Sequence, residues 1–181
     1  LLHRTNLFDG RPQRVLHVAP EPCFAVRLKP RLGAGYLTGD LLDPRAMERL
    51  DITKLAHPNE SFDAVLIYGI LHHLIGLDAY WAACDEVTRI LKPGGYIFII
   101  EPGRYWALVI LEPIFRFLGL FSKTFRAYSQ HMDEERPEHH FFLKNHPKVR
   151  EYLLAKGFNT IVDDYRIYTW LFTIQKPANN A

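Results

Sequence analysis

The chain has 181 residues, 48% of them hydrophobic and 23% charged, which is the make-up of one core-forming domain and excludes a disordered chain or a fibre. Lysine and arginine total 22 against 20 acidic residues, a formal charge of only +2, far from the dense basic surface that nucleic acid requires. Cys23 and Cys84 are the only cysteines; they allow at most one disulfide and no zinc spacing, so a reducing compartment, the cytoplasm, is expected. Aromatics make up 13% and there are nine histidines; a filled aromatic core and a pocket for an apolar ligand both account for the former. The chain opens at Leu1 without a methionine and reads as a trimmed or incomplete end. Its most apolar stretch, residues 105–121, is interrupted by Glu112, Pro113 and Arg116 and is too short and too broken to span a bilayer.

From Arg14 to Glu101 short apolar runs alternate with helix-like segments, the pattern of an α/β domain with a mostly parallel sheet. Residues 14–19 form a first strand, closed by Pro20 and Pro22, and a short helix follows to about Leu32. Second and third strands are expected at residues 35–38 and 47–52, with no helix between them because the connection is too short. A fourth strand covers residues 64–68. A helix over residues 78–91 places Tyr80, Cys84, Val87 and Leu91 on one face and ends at Lys92-Pro93-Gly94-Gly95. The uniformly apolar run 96–100 reads as a fifth strand covered on both faces. Residues 104–142 are expected to hold one or two helices and a mobile polar turn at 131–140. A helix over residues 145–156 and two closing strands, 158–163 and 168–175, complete a single domain.

In open parallel sheets ligands bind beyond the carboxyl ends of the strands, which here carry Ala19-Pro20-Glu21, Gly39-Asp40, Asp51-Ile52, Tyr68-Gly69 and Glu101-Pro102. Gly33, Gly35 and Gly39 do not form a dinucleotide fingerprint, since Thr38 stands where the last glycine should be and the cluster precedes a strand. His131, His139, His140 and His146 lack the spacing of a metal motif, and no metal is expected; a solvated polar loop is the reading preferred for them.

Asp51-Ile52-Thr53-Lys54-Leu55, Ser61-Phe62-Asp63-Ala64-Val65, Leu71-His72-His73-Leu74 and Glu86 to Gly95 resemble, in order and spacing, the middle motifs of class I S-adenosylmethionine-dependent methyltransferases. The resemblance covers residues 14–101 and implies a Rossmann-like doubly wound sheet with a C-terminal antiparallel hairpin. It further implies S-adenosylmethionine as cofactor and methyl transfer to a small-molecule acceptor. The family's first loop carries glycines; here the matching positions are His17, Ala19 and Glu21, similar to a variant branch with Ala-Pro-Glu. The resemblance assigns His17, Ala19, Pro20 and Glu21 to the methionine end, Asp40 and Leu41 to the ribose, Asp51 and Ile52 to the adenine, and Tyr68 and Gly69 to the methionyl side.

His72 is the candidate general base, because imidazole titrates near neutrality, though a structural role for both His72 and His73 stays open. Residues 104–142 match the place of a substrate lid, so Tyr105, Trp106 and His73 are expected at a partly apolar or aromatic acceptor. Two alternatives remain: a methyltransferase-like binding or scaffold protein without turnover, and a peripheral membrane contact through residues 105–121. The sequence does not specify an oligomeric state.

Overall fold

A computed structural model describes residues 5, 9, 11–103, 106–165 and 169–178. Seven strands form one sheet in the order β3-β2-β1-β4-β5-β7-β6. The strands are β1 (Val15–Val18), β2 (Tyr36–Asp40), β3 (Glu48–Arg49), β4 (Phe62–Tyr68), β5 (Leu91–Pro102), β6 (Asn159–Tyr165) and β7 (Thr169–Gln175). The first five run parallel, and β7 lies antiparallel to both β5 and β6. Four helices accompany them: α1 (Pro22–Leu32), α2 (Leu77–Ile90), α3 (Trp106–Gly119) and α4 (Lys123–Ala155).

The chain runs outward from β1 through β2 to β3 and then returns to β4 on the other side of β1, so the reversal of strand order falls between β1 and β4. This is where an open sheet parts to admit a ligand. Side chains alternate along each strand. Leu16 and Val18 point into the larger core with Tyr80 and Val87 of α2 and Val149 and Leu153 of α4. Val15, Tyr36, Ala64 and Leu66 face the smaller layer with Leu28 of α1.

Three elements differ from expectation: β5 begins at Leu91 and takes in the Lys92-Pro93-Gly94-Gly95 stretch expected as a turn, and two others differ for reasons visible in their side chains. The third strand is only two residues long, because the Asp51 carboxylate accepts the Thr53 N–H at 2.9 Å and its hydroxyl at 2.7 Å. That turn draws the chain out of the ladder, while Leu50, Ile52 and Leu55 are pulled into the core. The polar run 131–140 is also not a mobile turn; it lies inside the continuous 33-residue helix α4. His139, Phe142, His146, Val149 and Leu153 recur every three or four residues, the spacing of one helix face, and Phe142, Val149 and Leu153 on it are buried.

Pro147 lies within α4 and lacks the N–H that would reach the Leu143 carbonyl four residues back. The His146 Nδ1 lies 3.0 Å from that oxygen and takes the donor's place, while its ring packs on Trp170, Tyr165 and Phe142. His146 is thus a structural residue and not part of a solvated loop. Replacing it by alanine leaves a partly buried carbonyl without its side-chain donor and a void beside Trp170; His146→Ala should lower unfolding free energy by about 1–3 kcal/mol in urea titration, with little effect expected at an exposed control such as His140→Ala.

Candidate active site

Backbone hydrogen bonds fasten the carboxyl ends of neighbouring strands in pairs, β1 to β2, β2 to the residue after β3, and β4 to β5. Ala19 N–H donates to the Gly39 carbonyl at 2.9 Å, Leu50 N–H to that of Asp40 at 2.9 Å, and Gly69 N–H to that of Ile100 at 2.9 Å. Ala19 has a φ of 49°, a left-handed value that a residue with a Cβ rarely adopts. The first loop therefore keeps a glycine-like backbone although no glycine is present. Gly69, with φ 61°, ends β4 in the same region, and the nearest atom to a Cβ built there is His72 Cε1 at 3.8 Å.

The centre of the site is Glu101, at the end of β5 and 1% exposed. Its Oε1 accepts the N–H groups of Ile70 and Leu71, each at 2.8 Å, and its Oε2 lies 2.8 Å from His72 Nδ1. A buried carboxylate needs such partners. An ionised carboxylate can only accept, so His72 Nδ1 carries the proton in this pair and Nε2 of a neutral ring keeps its lone pair. His139 of α4 stacks on His72 at 4.5 Å and 27°, and the His73 ring lies 4.0 Å from that of His72. His73 Nδ1 pairs with Glu138 at 2.6 Å. The turn after β4 is thus gripped by the sheet below and by α4 beside it. Glu101 was legible only as one of several acids at strand ends, and Glu138 and His139 were missed because their segment read as loop; the three-and-four spacing running on to Leu153 was the available signal.

Asp40 Oδ1 accepts the N–H groups of both Leu42 and Asp43 at 2.7 Å. No donor among the described residues is recorded on Oδ2, which suits an oxygen that meets a diol. Exposed Leu41, Leu42 and Met47 line the open groove beside it. Asp51 caps the turn already described, and the Thr53 hydroxyl and amide hold its carboxyl below the usual range. Glu21 is the N-cap of α1. Its exposed carboxylate, with Cys23 and Glu101, adds to the burial that raises the Tyr68 phenol.

Not every expected residue presents its side chain to the crevice. His17 is sealed beneath α1, with Nδ1 2.7 Å from the Tyr36 hydroxyl and Nε2 without a partner among the described residues. The Ile52 side chain belongs to the core, and the Tyr68 ring leans on Phe24 at 5.5 Å. Trp106 opens α3, and Tyr105 lies outside the described residues. Among the described residues no group of three His, Cys, Asp or Glu side chains is placed to hold a metal.

The sequence model described as a methyltransferase domain matches residues 34–99. Over 72 residues the chain is 35% identical to the ubiquinone/menaquinone biosynthesis C-methyltransferase UbiE of Chromobacterium violaceum, an overlap of 40% of this chain and 26% of that protein. The chain therefore matches about a quarter of the length of this curated relative. Among solved structures it is similar to the Burkholderia thailandensis 1,6-didemethyltoxoflavin-N1-methyltransferase bound to 1,6-didemethyltoxoflavin and S-adenosylhomocysteine, with TM-score 0.59, 16% identity, and coverage of 96% of this chain and 75% of that one. It is also similar to the N-methyltransferase NodS of Bradyrhizobium japonicum in complex with S-adenosylhomocysteine, with TM-score 0.56, 16% identity, and coverage of 97% and 84%. These likenesses bear on the fold. Residues 34–99 thus match a methyltransferase domain, and the chain shares the fold of these solved methyltransferases.

Burial lowers the His17 pKa from 6.5 to about 4. Between those values the unfolded chain binds a proton that the native chain does not, so the neutral imidazole stabilises the fold fully above pH 6.5 and loses that contribution as pH falls toward 4. Urea midpoints at pH 7 and pH 5 should differ by a His17 contribution of roughly 2 kcal/mol, and His17→Gln should flatten that slope; an unchanged slope would show that the ring is not sealed. Ala19→Gly removes the Cβ from a left-handed position and should stabilise the protein by about 1 kcal/mol.

Proposed function

We propose that the chain binds S-adenosylmethionine across the carboxyl ends of β1, β2 and β4 and transfers its sulfonium methyl to a small, partly apolar acceptor. The carrying observation is the Glu101 cluster, which fixes Gly69 and His72 beside the glycine-like loop at Ala19. The residues present suit the cofactor. Asp40 accepts the ribose hydroxyls on Oδ2 while Oδ1 holds the loop after Leu41 through the Leu42 and Asp43 N–H groups, and Asp51 meets the adenine with its carboxylate and Ile52 with its backbone. Gly69 brings bare backbone to the methionine part, Ala19 and Pro20 line it with a methyl group and a ring, His17 supports that loop from beneath, and Glu21 offers its carboxylate to the positive end.

The cofactor supplies an already activated methyl group, so the protein's work is alignment and exclusion of water. His72, oriented by Glu101 through Nδ1, would take on Nε2 the proton that the acceptor gives up as it accepts the methyl group, which the cofactor would supply while keeping the carbon–sulfur electron pair on its sulfur. Residues 104–142, carried by α3 and the first half of α4, act as the substrate lid with Tyr105, Trp106 and His73 at the acceptor. An acceptor with no proton to lose would use the same alignment without the base.

Calorimetric titration of the chain with S-adenosylmethionine tests this reading. One site per chain is expected, and Asp40→Ala should weaken it by about tenfold or more, since hydrogen bonds to a charged group contribute ~1.5–3 kcal/mol. Absence of binding at millimolar cofactor would leave the alternative of a scaffold protein without turnover. Binding unchanged by Asp40→Ala would overturn the assignment of the ribose site.

A further inference from the structure

The α3–α4 hairpin carries an apolar surface that the methyl-transfer reading does not use. At its far end Phe121 is 78% exposed, Leu120 67%, Phe117 61% and Ile114 52%. Ile114, Phe117 and Phe121 follow helical spacing along one side, and the Phe117 and Phe121 rings meet edge to face at 5.6 Å. The opposite side is engaged: Phe115 stacks with Phe125 of α4 at 5.8 Å. At Gly119 the helices come so near that a built Cβ would lie 3.3 Å from Arg126 Cα. The exposed residues therefore form a wedge on a closely packed hairpin.

Arg116 on the flank of the wedge is paired with Asp133 at 2.9 Å, and the exposed cations at the tip are Lys123 and Arg126. Residues 113–132 contain Arg116, Lys123 and Arg126 and no aspartate or glutamate, in a chain whose whole charge is only +2. The Asp133 carboxylate of α4 reaches Arg116 at 2.9 and 3.0 Å, whereas from Lys123 it lies ten residues along the helix, roughly 15 Å at the helical rise and beyond the ~8 Å screening length of physiological salt. The hairpin is thus apolar and cationic at its tip and acidic towards its base, where Glu138 meets His73. This pairing of an apolar wedge with flanking cations is what an anionic lipid surface recognises. A second copy of the chain would bring the same cations against their like.

We propose that the tip of the α3–α4 hairpin, Ile114, Phe117, Leu120 and Phe121 flanked by Lys123 and Arg126, docks into the interface of an anionic lipid bilayer. The inference deepens the reading of a partly apolar acceptor, since docking stands the methyl-transfer crevice roughly 20 Å below the lipid, one α3 length away. Among the described residues no helix is long and apolar enough to cross a membrane, so the contact is interfacial.

Co-sedimentation of the whole chain with phosphatidylcholine vesicles, with and without phosphatidylglycerol, tests it. The chain should sediment with the mixed vesicles and only weakly with phosphatidylcholine alone, and added salt should release it. Phe117→Ser with Phe121→Ser should reduce binding by about tenfold or more, given the apolar area withdrawn, and Lys123→Glu should act chiefly on the anionic vesicles. Val26→Ser, an exposed apolar residue on α1, should change nothing. No sedimentation with anionic vesicles, sedimentation indifferent to the double variant, or a dimer in analytical ultracentrifugation that the double variant dissolves would each overturn the proposal. Cofactor titration without vesicles reads the methyl-transfer reading separately, so either can fail while the other stands.

Discussion

A single buried carboxylate, Glu101, ties the site to the fold. It ends the central strand β5 and accepts two backbone N–H groups and an imidazole from the turn that leaves β4. Those N–H groups belong to a short turn with no ladder of its own, and a buried donor left unmet costs about 1–3 kcal/mol. The charge that satisfies them would itself be costly without them. Carboxylate and turn are therefore stable only together. Through His72 the same constraint reaches α4, whose His139 lies on the imidazole face and whose Glu138 holds the neighbouring His73.

The first loop shows how little of a glycine pattern resides in glycine itself. Ala19 occupies a backbone conformation that costs a residue with a Cβ more than it costs glycine, and the bond from its N–H to Gly39 holds it there. The strain is supported by β1, which is buried on both sides and paired with β2 and β4 along its length. Losing the glycines therefore leaves the turn's shape intact and adds one methyl group to its surface.

Much of this architecture was legible in the sequence because parallel strands covered on both faces leave unbroken apolar runs, as in residues 96–100, and because Pro and Gly punctuate their ends. The α2 boundaries came within one residue for the same reason. What escaped depends on contacts distant in sequence. Nothing local says that Asp51 will close a turn and stop β3 after two residues, or that two prolines will sit inside α4. Proline is a sound signal of a break until a side chain such as His146 supplies the missing donor. The candidate site divides in the same way: residues at strand ends can be named by position, whereas Glu138 and His139 come beside His72 and His73 only because α4 folds back over sixty residues later. Residues such as Asp40 and Gly69 could be named by pattern, but the burial of the His17 ring beneath α1 could not.

The most direct test of the account is the tautomer and environment of His72, read from the ring ¹⁵N resonances of the labelled chain as S-adenosylhomocysteine is added. The contact with Glu101 calls for Nδ1 to carry the proton, and the proposed site requires the Nε2 resonance to move on binding while Glu101→Gln disturbs the Nδ1 signal. A ring protonated only on Nε2, or one that ignores millimolar ligand, would contradict the account.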